Sequence, residues 1–328
     1  MNRISLGQFT ALLLASDAFS LICLTHSVTV LSLCGFAIGT IIQFLAAVPT
    51  IFCLSRGEKI TRHSINRCIF LIYSLMWGGL LFVRLWQTSE IVYIPSIFGG
   101  IVSDRLLITA LVGVVCLYIS STGLKPLARV SVIVGGFGIL CLFIVILGAI
   151  GKMDFSNLNR NSDGFSTEIV RGLSLSGSLG TFAILAENLR YNKVKTTIFY
   201  FISRIVLSAI IFIIAIIVAG GLKLKFPIIA AFQLSQPLSS QRIDALFIII
   251  FSVLAIISIA LQATVSADIL HKIFPKISSF RTTISLILMT LAGFVLSKND
   301  VYSPLFAFII LAATIVPSMI TIARQKGK

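Results

Sequence analysis

Long apolar runs separated by short polar segments dominate the chain. The hydrocarbon core of a bilayer is about 30 Å thick, so a crossing helix needs about 20 mostly apolar residues. The runs are continuously apolar rather than alternating, which indicates helices and excludes a membrane β-barrel. The pattern predicts an all-α integral membrane protein with one transmembrane domain, residues 1–328. Ten spans are expected, at about residues 4–24, 28–54, 65–88, 105–121, 126–150, 169–188, 197–221, 243–271, 279–297 and 301–323.

These ten spans divide into two sets of five, which predicts repeats over about residues 1–150 and 165–328. An odd number of spans in each half places the second half upside down relative to the first. Inverted repeats of this kind put the substrate site near the membrane midplane, at discontinuous helices in corresponding positions of the two halves. We therefore predict a five-plus-five inverted repeat with interrupted helices one and six.

Span one carries a polar segment just past its middle, with Asp17 between Ser16 and Ser20. A carboxylate inside a membrane span costs about 2.5–3.5 kcal/mol on insertion scales and marks a functional site by default. Asp17 is predicted to face the cationic group of a ligand or to carry a proton. The alternative is a structural aspartate that is hydrogen-bonded to the neighbouring serines.

Span six is rich in residues that weaken a helix, since glycine lacks helix propensity and serine competes for backbone hydrogen bonds. If the helix unwinds near Gly177, its free N–H groups can hold a carboxylate. The alternative is that these small residues serve only close helix packing. The predicted ligand-binding residues of this span are Ser174, Ser176, Gly177, Ser178 and Gly180.

Further polar residues suggest a pathway or a coupling role. Ser258, Gln262 and Ser266 recur every four residues in span eight, so they share one helix face; they either line a pathway or join helices. Arg84 and Glu90 near the end of span three, and Glu187 at the end of span six, are the other candidates. Arg204 is expected to snorkel from span seven to the membrane surface.

Composition agrees with a membrane protein: 57% of the residues are hydrophobic, 11% are charged and the mean hydropathy is +1.06. The formal net charge of +15 is a topology signal rather than a sign of nucleic-acid binding. Sixteen of the 26 Lys and Arg residues fall on the side that holds both termini, if the spans alternate, and eight fall on the other side. By the positive-inside rule, both termini are predicted to be cytoplasmic.

The sequence shows no motif of an enzyme, a primary pump or a cofactor-binding protein. The six cysteines and three histidines show no metal-ligand spacing and no nucleophile–base pair, and no phosphate-binding loop is present. We therefore expect neither an enzyme, nor a primary pump, nor a cofactor.

Three short stretches resemble the spore germination permeases, the B subunits of germinant receptors. They are Ile4-Ser5-x-x-Gln8-Phe9, Arg84-Leu85-Trp86 with Glu90-Ile91 and Pro95, and the loop from Phe226-Pro227 to Arg242-Ile243-Asp244-Ala245-Leu246-Phe247. That family belongs to the amino acid–polyamine–organocation superfamily, so the resemblance implies the LeuT-like fold. In place of that superfamily's usual glycine-rich break in span one, this chain has Ser16-Asp17-Ala18-Phe19-Ser20.

The resemblance implies a germinant-sensing subunit that binds a nutrient, such as an amino acid, in a bacterial cell membrane or spore inner membrane. A-type and C-type receptor subunits would be its partners. Two alternatives stay open: a secondary amino acid transporter of the same fold, and a scaffold subunit that transports nothing.

Overall fold

The computed structural model describes residues 4–92, 101–159, 164–175, 177–189, 192–220, 224–235, 242–277, 280–298 and 303–326. Within these ranges the fold is all-helical. The α-helices are α1 Leu6–Ile22, α2 Val30–Ser55, α3 Ser64–Val92, α4 Ile101–Thr122, α5 Leu124–Ala149, α6 Phe165–Leu175, α7 Ser178–Ala186, α8 Lys193–Ala219, α9 Pro227–Leu234, α10 Arg242–Ile273, α11 Arg281–Leu296 and α12 Pro304–Lys326.

The described helices suit a multi-pass membrane protein. Six of them are long and apolar enough to cross a bilayer, namely α2, α3, α5, α8, α10 and α12. The pair α6 and α7 passes the same test as one span that is bent by 43°. Three shorter apolar helices, α1, α4 and α11, complete the bundle.

Local sequence fixes the helix starts. Ser5 caps α1: its Oγ accepts from the N–H of Gln8 at 3.4 Å, and Gln8 Oε1 accepts from the N–H of Ser5 at 3.1 Å. This reciprocal capping box satisfies two N–H groups at a helix start. Gly123 alone connects α4 to α5 with φ of +92°, a conformation that favours glycine.

The expected interruption of helix one is wrong. α1 is continuous from Leu6 to Ile22 and passes through Ser16, Asp17 and Ser20 without a break. The residues from Ser16 to Ser20 include neither glycine nor proline, and the Asp17 carboxylate is bound by side chains of another helix. A backbone break is therefore not needed to accommodate its charge.

The interruption of helix six is present, and the half-helix α6 packs tightly on α2. A Cβ atom at Gly35 would lie 2.5 Å from the backbone of Glu168, and one at Gly172 would lie 2.6 Å from the carbonyl oxygen of Gly35. Glycines thus allow backbone-to-backbone contact between the two helices. α6 is therefore packed closely on α2, and the break separates this packed half-helix from α7.

Two sets of helix contacts build the rest of the bundle. α1 packs against α5, α8 and α10, and the α6–α7 pair packs against α12 and α2. α3 packs against α10, α11 and α12, and α10 also packs against α4 and α5. The broken pair is therefore surrounded by α1, α2, α3, α10 and α12.

Candidate functional site

The break between Leu175 and Ser178 is shaped by aromatic side chains of α3. A Cβ atom at Gly177 would lie 2.3 Å from the Trp77 ring, and one at Gly180 would lie 2.3 Å from the Tyr73 ring. The Tyr73 hydroxyl also donates to the Gly177 carbonyl. The glycines of span six therefore leave room for two aromatic rings that pack against the break.

Arg84 of α3 holds the carbonyl end of α6. Its Nη1 donates to the Leu175 carbonyl at 3.1 Å and its Nη2 to the Ser174 carbonyl at 3.4 Å, and the side chain is only 1% exposed. Gln43 of α2 donates to the carbonyl of Leu173 at 2.8 Å. The last carbonyls of a helix lack intrahelical partners, and a cation is favoured at their partial negative charge.

A chain of polar side chains runs from the start of α7 to α1. Ser178 Oγ and the Tyr200 hydroxyl lie 2.7 Å apart, and that hydroxyl donates to Asp17 Oδ2 at 2.7 Å. Arg204 Nε lies 3.7 Å from the same Asp17 oxygen. The break is thus linked through α8 to the carboxylate of α1.

The expectation that Arg204 snorkels to the surface is wrong. Its side chain is fully enclosed, with its guanidinium 5.4 Å from the centre of the Phe36 ring. Asp17 and Arg204 are each the twelfth residue of their helix, and both helices start at the same end of the bundle, where Ile4 pairs with Leu189. Both charges therefore lie about 17 Å along the helix axes, which prevents either from reaching solvent.

The serines of the predicted site have different environments. Ser16 and Ser20 are buried beside Asp17, and their hydroxyls have no hydrogen-bond partner among the described residues. Ser174 Oγ donates to the carbonyls of Val170 at 3.0 Å and Ser303 at 3.2 Å. Ser176 lies outside the described residues.

The polar face of α10 contributes one contact to the broken span. Thr181 of α7 donates to Gln262 Oε1 at 3.0 Å. Ser258 donates to the carbonyl of Leu254, and Ser266 to that of Gln262, both within α10. All three residues of this face are buried in the bundle.

Glu187 lies away from the break, at the end of α7. Its two carboxylate oxygens accept from the N–H and the Oγ of Thr61, each at 2.7 Å. Thr61 belongs to the 3₁₀ turn Ile60–Arg62 between α2 and α3. Glu187 thus ties this turn to α7, in what we call the end latch. The other pathway candidate, Glu90, has a side chain outside the described part of the chain.

Three residues that complete the site were not predicted from the sequence, namely Tyr73, Trp77 and Tyr200, and Arg204 was predicted to lie at the membrane surface. Tyr73 and Trp77 are four residues apart on α3, and Tyr200 and Arg204 are four residues apart on α8. Such spacing places each pair on one helix face. A search of apolar spans for aromatic residues paired at this spacing with an aromatic or charged residue would have found both.

Together these residues suit noncovalent binding of a small polar molecule. Two guanidinium groups, a carboxylate and the hydroxyls of two tyrosines and a serine lie close together inside an apolar bundle. Burying such groups is costly unless they are hydrogen-bonded or paired, which makes this cluster the candidate binding site. In the part of the chain that the structure describes, no cluster of His, Cys, Asp or Glu could hold a metal ion.

Comparison with known proteins gives structural likeness alone. No protein-family model matches the chain, and no curated protein sequence matches it. The chain is similar to the structure of Mhp1, a nucleobase-cation-symport-1 family transporter, in a closed conformation with bromovinylhydantoin bound. The two are 16% identical with a TM-score of 0.66 over 98% of this chain and 78% of that one. The inward-facing conformation of Mhp1 is 15% identical with a TM-score of 0.57, over 96% of this chain and 77% of that one. The chain therefore shares the overall fold of this membrane transporter.

Proposed function

We propose that this chain is a secondary transporter that binds a small polar molecule, such as an amino acid, at the break between α6 and α7. One observation carries the proposal: polar and charged side chains of α1, α3 and α8 converge on the interrupted span inside an apolar bundle. Interrupted helices in transporters expose backbone N–H and C=O groups near the membrane midplane. These groups can bind a substrate there.

The structural likeness supports this assignment. The chain resembles a transporter whose closed conformation holds a small organic molecule, and the likeness covers almost the whole chain. Fold alone does not define a function. The buried charges at the break are therefore the stronger support, because replacing a buried ion pair by apolar residues often costs a protein no stability.

We further propose ten spans in two inverted repeats, made up of α1 to α5 and of α6 to α12. The six long helices, the bent pair and the three shorter helices make up these spans. The packing supports the repeat: α1 contacts α5 as the α6–α7 pair contacts α12, and α3 contacts α11 and α12 as α10 contacts α4 and α5. Two related halves would produce this pairing.

The proposed orientation has both termini in the cytoplasm of a bacterial cell. The ends that hold the 60–62 turn and the start of α8 are rich in Lys and Arg. Such residues are retained on the cytoplasmic side during insertion. The end latch between Glu187 and Thr61 would then close the cytoplasmic end of the pathway.

The second candidate is a germinant-sensing subunit that binds a nutrient without moving it and acts with A-type and C-type receptor subunits. The motifs that resemble the spore germination permeases favour it, and Arg84 of those motifs lies at the break. Ligand binding would then shift the population of two conformations and signal to the partners. A scaffold subunit without a ligand is the remaining alternative.

Reconstitution distinguishes the three functions. The purified chain in liposomes is tested for uptake of radiolabelled amino acids, and in parallel for binding in detergent. Concentrative uptake supports transport, binding without flux supports sensing, and the absence of both favours the scaffold. Protein-free liposomes are the control for passive leakage of the label.

A further inference from the structure

Arg204 is a buried cation whose hydrogen-bonding capacity is unused. None of its three guanidinium nitrogens has a hydrogen-bond partner among the described residues, and its side chain is 0% exposed. Its contact with Asp17, at 3.7 Å, is an ion pair longer than a hydrogen bond. A guanidinium presents five N–H donors, so this residue can accept a further partner.

Asp17 is not free to complete that pair. The carboxylate oxygen nearest Arg204 is also the one that accepts from Tyr200 at 2.7 Å. Arg84, by contrast, donates to two carbonyls at the end of α6. The structure thus contains one buried arginine that is well bonded and one that is only loosely paired.

The charge balance of the centre favours an anion. The buried charged side chains in the described ranges are Asp17, Arg84, Arg204 and Glu168, and Glu168 is paired with Arg171 at 2.6 Å. Among the described buried side chains, two guanidinium groups and one carboxylate therefore lie at the break. The N-terminus of α7 adds partial positive charge there, while Arg84 offsets the negative end of α6.

We propose that Arg204 recognises a carboxylate on the ligand, and that this carboxylate displaces Asp17 from Arg204. The inference rests on the proposed function and names the ligand class: a small molecule with a carboxylate group. A guanidinium binds a carboxylate through two parallel hydrogen bonds, which the present Asp17 contact lacks. Ser16 and Ser20, with unpartnered hydroxyls beside Asp17, lie on the same side of α1 and offer further donors.

Asp17 then competes with the ligand for Arg204, so neutralising Asp17 should strengthen ligand binding. Removing its charge leaves Arg204 without its ion pair in the empty protein, so the empty protein unfolds more easily. A ligand carboxylate would restore a partner to Arg204. Asp17→Asn therefore binds a carboxylate more tightly than the wild type, whereas a residue that contacts the ligand's cationic group would weaken binding when neutralised.

The test uses the full chain in detergent and three pools of probes with matched carbon skeletons: amino acids, carboxylic acids without the amino group, and amines without the carboxylate. Thermal unfolding at increasing probe concentration gives apparent affinities. We expect stabilisation by at least one carboxylate-bearing pool. Arg204→Gln should weaken that binding by at least about tenfold, since one partner of a charged pair is lost. Asp17→Asn should strengthen it.

Two further variants cover a failure to fold. Arg204→Lys keeps the charge but not the two-pronged geometry and should weaken binding less than Arg204→Gln. The double variant Asp17→Asn/Arg204→Gln removes both charges and should remain folded without binding carboxylates. Arg171→Gln, an arginine paired with Glu168 outside the break, is the matched control and should bind as the wild type does.

The outcomes separate this inference from the proposed function. Stabilisation by amines alone, unchanged carboxylate affinity in Arg204→Gln, or weaker carboxylate binding in Asp17→Asn would each overturn the role of Arg204 and leave a small-molecule site in place. Absence of stabilisation by all three pools would overturn both.

Discussion

Arg84 Nη1 donates to the main-chain carbonyl of Leu175, the last residue of α6, at 3.1 Å. A side chain of α3 thus supplies the hydrogen bond that the interrupted span cannot make within itself. The second bond, to Ser174, makes Arg84 a clamp on the end of α6. The break is consequently stabilised from α3, in addition to being favoured by the weak helix propensity of its own residues.

Arg84→Gln should strongly destabilise the protein. The variant leaves buried carbonyls without a donor, and each unsatisfied group costs about 1–3 kcal/mol. Arg84→Lys keeps the charge and should lose less stability than Arg84→Gln. Thermal unfolding in detergent measures the difference, with the exposed Arg62→Gln as control. Equal melting temperatures for Arg84→Gln and Arg62→Gln would show that the clamp contributes nothing.

Gly177→Ala and Gly180→Ala should each destabilise the break. The added methyl group would lie 2.3 Å from the ring of Trp77 or Tyr73, and such overpacking costs about 1–3 kcal/mol. Gly135→Ala is the control, because nothing lies within 4 Å of its added methyl group. In α5, alanine should be neutral or stabilising by up to about 1 kcal/mol. The comparison uses melting temperatures of the three variants, and similar values for all three would contradict the packing described.

Tyr200→Phe should weaken the link between the break and α1. The hydroxyl bonds both Asp17 and Ser178, and a hydrogen bond to a charged group is worth about 1.5–3 kcal/mol. Tyr118→Phe is the control, since this tyrosine of α4 is 72% exposed. We expect a lower melting temperature for Tyr200→Phe and an unchanged melting temperature for Tyr118→Phe. A destabilisation shared equally by both would point to a general effect of losing a phenol.

The end latch should show direct coupling between its two residues. Glu187→Gln and Thr61→Val each remove part of the same pair of bonds, so their effects should not add. A double-mutant cycle on unfolding free energies is expected to give a coupling of about 1–3 kcal/mol. Additive effects would mean that Glu187 and Thr61 contribute independently.

Several features of the fold could be predicted from the sequence because they depend on local composition. The apolar runs predict the long helices, and the glycines and serines from Ser174 to Gly180 predict the break in span six. Both follow from the cost of burying polar backbone and from weak helix propensity, which are read within a short window.

The remaining features depend on partners that are distant in sequence. Asp17 suggested a break in span one, but its charge is bound by Arg204 and Tyr200, more than 180 residues away. Trp86 is buried and donates to Thr109, 23 residues away, at 2.8 Å. Glu187 looked like a pathway residue and binds a turn. Hydropathy within one span carries no information on such pairings.

Uptake by reconstituted protein decides whether the chain transports its ligand. Liposomes that contain the wild-type chain are given a radiolabelled amino acid pool and a matched carboxylate pool, with an imposed ion gradient. We expect concentrative uptake that is abolished by dissipating the gradient and reduced by at least about tenfold in Arg204→Gln. Absence of uptake by folded wild-type protein, with or without binding of a pool, would contradict transport.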